Sequence, residues 1–307
     1  MTAAEESGAP FATMLVSVAR VRMLSPTFRR VTFTGPTVRE IADTRCDQRI
    51  KLLLPTPSSN LEEFVGNHDW YAAWRAAPEA NRPIMRTYTL REVRAESAEF
   101  DVDFVLHGRS GPASAWAGDA QPGDTIAVVV PVRGYSGRHG GIDWNPPTGV
   151  GRVLIAADET ALPAVSGIFE RMDNRTQGIA VIEVPHAGDV QALSPAPPGI
   201  DLRVVVRSGE PGSRLVPAVA AAAMTIASAT TVAPVELSEI DIDTEILWEV
   251  PDVEDDAQST DAGGLYAWLA GESAAIKSLR RLLVSELGVP PQSVAFMGYW
   301  RMGQSSF

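Results

Sequence analysis

Short segments in which apolar and polar residues alternate run through the first half of the chain. Asp101-Val-Asp-Phe-Val-Leu-His is the clearest of them, and an alternation with a period of two is typical of a strand buried on one face. Such segments begin at Met14, Arg30, Ile50, Arg86, Glu99 and Thr125. They predict a six-stranded antiparallel β-barrel, because a closed barrel leaves no exposed edge strand. Residues 60–83 interrupt the strands, and a helix is expected there.

The second half of the chain has a different rhythm. Arg152-Val-Leu-Ile-Ala-Ala is continuously apolar, and the residues after Asp158 are apolar at helical spacing. Further strands are predicted from Ile179, Leu202, Tyr266 and Val294, with helices over 215–224 and 272–287. This alternation of strands and helices predicts a parallel-sheet α/β domain of the nucleotide-binding type. The turn-rich stretch 140–151 marks the boundary, which gives a β-barrel domain over 1–144 and an α/β domain over 145–307.

The composition excludes several classes of protein. Hydrophobic residues make up 45% of the 307 positions and charged residues 21%, so the chain can bury a core and is not disordered. The single Cys46 excludes an iron–sulfur or Cys-rich metal site. His68, His139 and His186 have no metal-ligand spacing, and no metal site is predicted. With no apolar run long enough to cross a membrane and no signal-peptide pattern, we expect a cytoplasmic monomer without membrane contact.

The net charge of −12 comes entirely from the second half. Residues 1–141 hold 16 basic and 16 acidic residues, whereas residues 142–307 hold 10 and 22. Twelve carboxylates lie between Glu236 and Glu272, and no cation lies between Arg214 and Lys277. A nucleic-acid partner would require the opposite balance, so it is excluded. We interpret the acidic run as a solvated loop.

Two segments of the first half contain residues suited to a ring-bearing phosphate ligand. In Arg86-Thr-Tyr-Thr, alternation places Arg86 and Tyr88 on one face of a strand. An aromatic side chain beside a guanidinium can stack on a ring and pair with a phosphate, although an ordinary amphipathic strand has the same pattern. Farther on, Ser110 or Gly111 precedes a proline at the predicted start of a helix. Its free amides could bind a pyrophosphate, but such a turn is also common without a ligand.

Seven segments of this sequence occur in one characteristic order: Arg86-Thr-Tyr-Thr, His107, Gly111-Pro-Ala-Ser-Ala-Trp-Ala, Pro122-Gly-Asp, Asp158-Glu-Thr-Ala-Leu-Pro-Ala, Gly271-Glu and Gly298-Tyr-Trp-Arg-Met-Gly. Together they resemble the siderophore-interacting protein family of flavin-dependent ferric-siderophore reductases, over about residues 14–303. The resemblance implies an FAD-binding barrel of ferredoxin-reductase type, followed by a domain that binds NADH or NADPH. It also implies a ferric siderophore, an anionic iron chelate, as the substrate.

The resemblance also assigns expected roles to individual residues. For FAD these are Arg86, Thr87, Tyr88, Thr89, His107, Gly111, Pro112, Ala113 and Ser114. For the nicotinamide nucleotide they are Asp158, Glu159, Thr160, Arg207, Gly271 and Glu272, with Arg207 as a candidate for an NADP 2′-phosphate. For the siderophore they are Lys51, Arg133 and Arg301. One departure is Ala157, where the family usually has glycine before Asp-Glu-Thr, and no G-x-G-x-x-G motif follows this strand.

The expected chemistry follows from the two electron carriers. A nicotinamide donates two electrons as hydride whereas ferric iron accepts one, and a flavin can mediate between them. Reduction weakens the hold of hard oxygen donors on the iron. Two alternatives remain open: a flavin oxidoreductase of the same fold with another acceptor, such as a ferredoxin, free flavin or quinone, and a non-catalytic protein that binds a siderophore or flavin.

Overall fold

The computed structural model describes residues 9–67, 69–109, 111–226, 247–250 and 264–304. The chain forms two compact units, the first ending at Ile142 and the second beginning at Asp143. Most of the acidic run lies outside the described residues, as do His68 and Ser110. None of the helices in the described ranges has the length and apolar character needed to cross a membrane.

The first unit is built on one antiparallel sheet of seven strands in the order β4-β3-β7-β1-β2-β6-β5. The strands are β1 (Phe11–Met23), β2 (Phe28–Thr34), β3 (Arg49–Leu54), β4 (Ile84–Thr89), β5 (Glu92–Arg94), β6 (Glu99–Val105) and β7 (Thr125–Pro131). The two end strands, β4 and β5, are consecutive in the chain. Between them the Leu90 amide donates to the carbonyl of Gln48 (2.8 Å) and the Arg91 amide to that of Asp101 (3.0 Å), so the backbone changes partners from β3 to β6.

This geometry modifies the expectation of a six-stranded closed barrel. The short β5 adds a seventh strand, and no ladder joins β4 to β5 within the described residues. The sheet is therefore an antiparallel half-barrel whose two edges meet at a covalent connection. Its interior is filled by alternate residues of the strands, such as Phe33 and Phe100, whose rings stack 5.2 Å apart.

Two helices accompany this sheet. Helix α1 (Trp70–Ala76) lies within the interruption predicted to contain a helix. Helix α2 (Pro112–Asp119) buries Ala113 and Ala117 against the core, and Trp116 stacks on Phe33 with ring centroids 6.1 Å apart. At its C-terminal end, the Arg29 guanidinium donates to the carbonyls of Ala117 (2.7 Å) and Ala120 (3.0 Å). These contacts hold α2 against the sheet.

The second unit contains a mixed sheet in the order β10-β9-β8-β12-β13-β11. Five parallel strands match those predicted from the sequence: β8 (Arg152–Ala157), β9 (Gln177–Val184), β10 (Ile200–Val206), β12 (Leu265–Glu272) and β13 (Val294–Trp300). The two-residue strand β11 (Trp248–Glu249) pairs antiparallel with β13, so the predicted all-parallel sheet is corrected to a mixed one.

The helices of this unit are α3 (Leu162–Arg171), α4 (Leu215–Ile226) and α5 (Ser273–Arg281). Helices α4 and α5 pack on one face of the sheet against Leu154, Ala267 and Leu269. The helix predicted to run to residue 287 ends as α5 at Arg281 and continues as a π-helical turn over Leu282–Glu286. Because the strand order reverses between β8 and β12, their carboxyl ends form a topological switch point, where open α/β sheets bind ligands.

Candidate functional site

Strand β4 presents the Arg86–Thr89 segment beside strand β3. Lys51 lies directly opposite Thr87 in the register, and its Nζ donates to the Thr87 hydroxyl at 2.6 Å. The Tyr88 ring is partly exposed and packs 4.5 Å from the ring of Phe104, while Thr89 is buried. The segment therefore has a partly exposed Tyr88 ring that packs on the core, and Lys51 lies on the neighbouring strand.

The charges of this segment are incompletely solvated. Burial, and secondarily the charge of Arg49, lowers the pKa of Lys51. Burial likewise lowers the pKa of Arg86, whose Nη1 donates to the Met85 carbonyl at 2.8 Å, and raises the pKa of Tyr88. A cation in such surroundings gains more from an anionic partner than a fully hydrated one does, because it has already lost part of its water.

The residues from His107 to Ser114 form the connection into α2. The buried Ser114 hydroxyl accepts from the His107 amide (3.1 Å) and donates to the Gly108 carbonyl (2.8 Å). At Gly111, a Cβ atom would approach the His107 Cε1 to 3.1 Å, so a side chain there would crowd the imidazole. Pro112 occupies the first turn of the helix, and no side chain of the described residues caps it. Backbone amides of this first turn therefore lack a side-chain acceptor among the described residues, an arrangement that suits an anion.

In the second unit, Asp158 lies at the carboxyl end of β8 and is 1% exposed. Its Oδ1 accepts from the Thr160 amide (2.9 Å) and hydroxyl (2.5 Å). Its Oδ2 accepts from the Glu272 amide (2.7 Å) and from the Trp300 indole Nε1 (2.8 Å). Burial raises the pKa of Asp158, and the bonds from Thr160 and Trp300 oppose this shift. This one carboxylate therefore holds together the ends of β8, β12 and β13.

Gly271 and Glu272 complete the switch point. Gly271 has φ +154°, and a Cβ atom there would lie 2.7 Å from the Asp158 Cγ, so only glycine allows this close approach. The Glu272 carboxylate accepts from the amides of Ala274 (2.7 Å) and Ala275 (3.0 Å), which caps α5. Its other oxygen accepts from the Met302 amide at 3.3 Å. Asp158 and Glu272 are thus both occupied by internal hydrogen bonds.

Arg207 follows β10 and forms ion pairs with two carboxylates. Its guanidinium donates to Glu159 through Nη1 (3.0 Å) and Nη2, and to Glu183 through Nε (3.1 Å). Burial and the neighbouring charge of Asp158 raise the pKa of Glu159 to about 7, although Arg207 opposes the shift. The ends of β8, β9 and β10 are therefore joined by one ionic cluster.

The structure assembles the candidate residues into groups within each unit. In the first unit, Lys51 joins Thr87, whereas Arg133 lines a separate shallow cavity of about 440 Å³ with Arg39, Ala95 and Glu96. Arg301 follows β13 in the second unit. No group of three or more His, Cys, Asp or Glu side chains is arranged to hold a metal ion among the residues described.

The sequence did not identify two residues that bond to the candidate residues of the second unit, Glu183 and Trp300. Glu183 is fully buried in β9, and its signal was a lone carboxylate inside the apolar run Ile179-Ala-Val-Ile-Glu-Val, since a buried charge requires partners. Trp300 belongs to a segment that carried the family resemblance, but nothing in its spacing indicated a bond to Asp158. Ala157, the departure from the family pattern, is fully buried at the end of β8, so the structure accommodates its methyl group.

Solved structures with this fold include reductases. The ferredoxin reductase in carbazole 1,9a-dioxygenase has a TM-score of 0.56 at 14% identity, with 97% of this chain and 73% of that chain covered. This likeness shows a ferredoxin-reductase-like fold. The siderophore-interacting protein SipS from Aeromonas hydrophila has a TM-score of 0.64 at 28% identity, with coverage of 96% and 94%.

Sequence comparisons give a narrower result. The ferric vibriobactin reductase ViuB of Vibrio cholerae serotype O1 is 26% identical over 95% of this chain and 90% of that protein. Residues 17–135 match the model of the siderophore-interacting FAD-binding domain, and residues 150–303 match that of the siderophore-interacting protein. The chain therefore belongs to the siderophore-interacting protein family and has its FAD-binding domain.

Proposed function

We propose that this protein is an FAD-dependent ferric-siderophore reductase that takes electrons from NADH or NADPH. The observation that carries the proposal is that one chain of this family contains both the Arg86–Thr89 strand and a topological switch point in an α/β sheet. The first suits a flavin and the second a dinucleotide. The name of the ViuB relative, which covers nearly the same length, supports iron reduction as the activity.

The residues of the first unit fit an FAD group. The partly exposed Tyr88 ring, supported by Phe104, would flank the isoalloxazine, and Thr89 would hold the strand along its polar edge. Arg86 and Thr87 would bind its polar groups. Backbone amides at the start of α2, together with Gly111, would bind the pyrophosphate beside His107. When bound, the flavin accepts electrons in pairs and passes them on singly.

In the second unit, we assign most of the candidate acidic residues to positioning. The carboxylate oxygens of Asp158 and Glu272 accept hydrogen bonds from backbone amides and, for Asp158, from an indole. We therefore infer that these two residues shape the crevice rather than face a ligand. Gly271, with no side chain, allows the Asp158 carboxylate to approach this backbone closely. Thr160 and Glu159 lie in the turn where the nucleotide would enter.

An anionic ferric chelate requires cations at the opening of the site. Lys51, Arg133 and Arg301 are the candidates, and Lys51 has the strongest case, because its charge is partly desolvated and its Nζ donates to a neutral group, the Thr87 hydroxyl. Its ammonium has donors left for a chelate oxygen after the bond to Thr87.

The test is stepwise reduction of the purified protein. We expect a flavin absorbance spectrum, bleaching on anaerobic addition of NADH or NADPH, and reoxidation by a ferric chelate with ferrous iron trapped by a chromogenic chelator. Flavin that no nicotinamide bleaches would favour the non-catalytic alternative. Flavin that is bleached but gives its electrons only to a ferredoxin, free flavin or quinone would favour the other oxidoreductase.

The flavin assignment has its own control within the first unit. Tyr88→Ala should lose most of its FAD, measured as the ratio of flavin to protein absorbance. Tyr71→Ala removes a ring of the same kind that is 47% exposed on α1, and it should retain the cofactor. If both variants fold, as shown by circular dichroism, and hold equal FAD, Tyr88 is not a flavin contact.

A further inference from the structure

The guanidinium of Arg207 is largely committed to carboxylates at the carboxyl edge of the second sheet. Two of its nitrogens donate to Glu159 and a third donates to Glu183. A guanidinium has five N–H groups in a fixed plane, so three of them are already spent and its orientation is set. Arg207 is therefore not poised to receive a phosphate.

Glu183 holds this arrangement in place. It is fully buried, and besides Arg207 it accepts from the amides of Gly212 (2.8 Å), Arg214 (2.9 Å) and Leu215 (3.1 Å). These bonds tie it to the start of α4 and to the preceding loop. A carboxylate with four donors cannot turn away without leaving buried groups unsatisfied, so Arg207 keeps its partner.

The carboxylates at this edge of the sheet outnumber the cation that they surround. Asp158, Glu159 and Glu183 supply three carboxylates at the ends of neighbouring strands, against the one guanidinium of Arg207. With a proton on Glu159, two carboxylates still face one cation. A ribose 2′-hydroxyl can donate to a carboxylate here. A 2′-phosphate would be repelled, and to reach Arg207 it would have to displace Glu159 and leave that side chain buried without its partner.

We propose that Glu159 and Glu183, acting through Arg207, make this crevice selective for NADH over NADPH. The inference rests on the proposed function, and it reverses the role that the family resemblance implied for Arg207. Glu159 is the specificity-determining residue of the cluster, and Glu183 is the residue that positions Arg207.

The experiment compares kcat/KM for NADH and NADPH in anaerobic flavin reduction by the FAD-loaded protein. The wild type should favour NADH by about tenfold or more, the scale of one charge-assisted hydrogen bond. Glu159→Gln should narrow the ratio by about tenfold, mainly by improving NADPH, because it frees Arg207 from one negative partner. The control Glu286→Gln removes a carboxylate from an exposed pair with Arg281 and should leave the ratio unchanged.

Equal efficiencies, a preference for NADPH in the wild type, or equal effects of Glu159→Gln on both nucleotides would overturn the inference. If neither nucleotide reduces the flavin, the proposed function fails, and calorimetric titration with NAD⁺ and NADP⁺ decides the inference separately. Tighter binding of NAD⁺ supports selectivity, whereas equal affinities, tighter NADP⁺ binding or no binding of either overturns it. The wild-type comparisons need no variant, so they decide the matter even if Glu159→Gln does not fold.

Discussion

Replacing Asp158 by asparagine tests whether this carboxylate holds the switch point together. The two oxygens serve different partners: Oδ1 accepts within its own turn from Thr160, and Oδ2 accepts from the Glu272 amide and the Trp300 indole. An asparagine side chain has one acceptor oxygen and one NH₂ group. If the asparagine oxygen keeps the bonds to Thr160, its NH₂ group faces the Glu272 amide and the Trp300 indole. Both of these groups are donors, so both bonds are lost.

The expected magnitude follows from these two bonds. A hydrogen bond to a charged group contributes about 1.5–3 kcal/mol, so Asp158→Asn should lower the free energy of unfolding of the second unit by about 3–6 kcal/mol. For a unit of this size, each kcal/mol lowers the Tm by about 2–4 °C, which predicts a fall of at least about 6 °C.

The matched control for this substitution is Asp173→Asn. Asp173 also accepts from a backbone amide two residues on, that of Arg175 (2.8 Å), and its side chain is 56% exposed. Comparing the two variants cancels the common turn and isolates the bonds to β12 and β13. Calorimetric melting of both variants measures the difference. Equal losses of stability would refute the role assigned to Oδ2.

Three further predictions concern other parts of the molecule. Gly271→Ala should destabilise the second unit by about 1–3 kcal/mol, and it should slow flavin reduction by the nicotinamide while the FAD content stays unchanged. The control Gly118→Ala adds a methyl group with no atom within 4 Å, and it should have neither effect. Burial acts to raise the pKa of Asp101, but hydrogen bonds from Arg94 and Thr32 outweigh it, so the pKa is lowered. The stability that ionised Asp101 contributes is therefore present above the ordinary aspartate pKa and is lost as the pH falls through the pKa of the folded state. In urea titrations at acid pH, the free energy of unfolding of Asp101→Asn should depend less on pH than that of the wild type. Lys51→Ala should raise the KM for an anionic ferric chelate about three- to tenfold with little change in that for NADH, and an unchanged KM would remove Lys51 from the substrate site.

The pattern of the sequence predicted the parallel strands of the second unit well because their signal is local. A fully buried strand such as Arg152–Ala157 must be apolar along its whole length, and the chain around it shows this without reference to any partner. The short strands were missed for the opposite reason. Glu92–Arg94 and Trp248–Glu249 are too short to show a period, and they are strands only because β6 and β13 offer them a ladder.

Local sequence patterns could not predict the hydrogen bonds of the candidate site. The contact between Asp158 and Trp300 joins residues 142 positions apart, and that between Asp158 and the Glu272 amide joins residues 114 apart. The order of the motifs indicated that both segments matter, but only the strand order, with β8 beside β12, brings them to one edge. The pairing of Arg207 with Glu183 is similarly a product of β9 and β10 being neighbours.

Three acidic residues of the second unit make internal contacts at the carboxyl edge of its sheet. Asp158, Glu183 and Glu272 are all buried, and their oxygens accept from backbone amides, an indole and a guanidinium of the same unit. Each bond fixes the end of a strand or the first turn of a helix, and these ends form the wall of the crevice. Changing such a residue should therefore disturb the shape of the site before it disturbs any single contact.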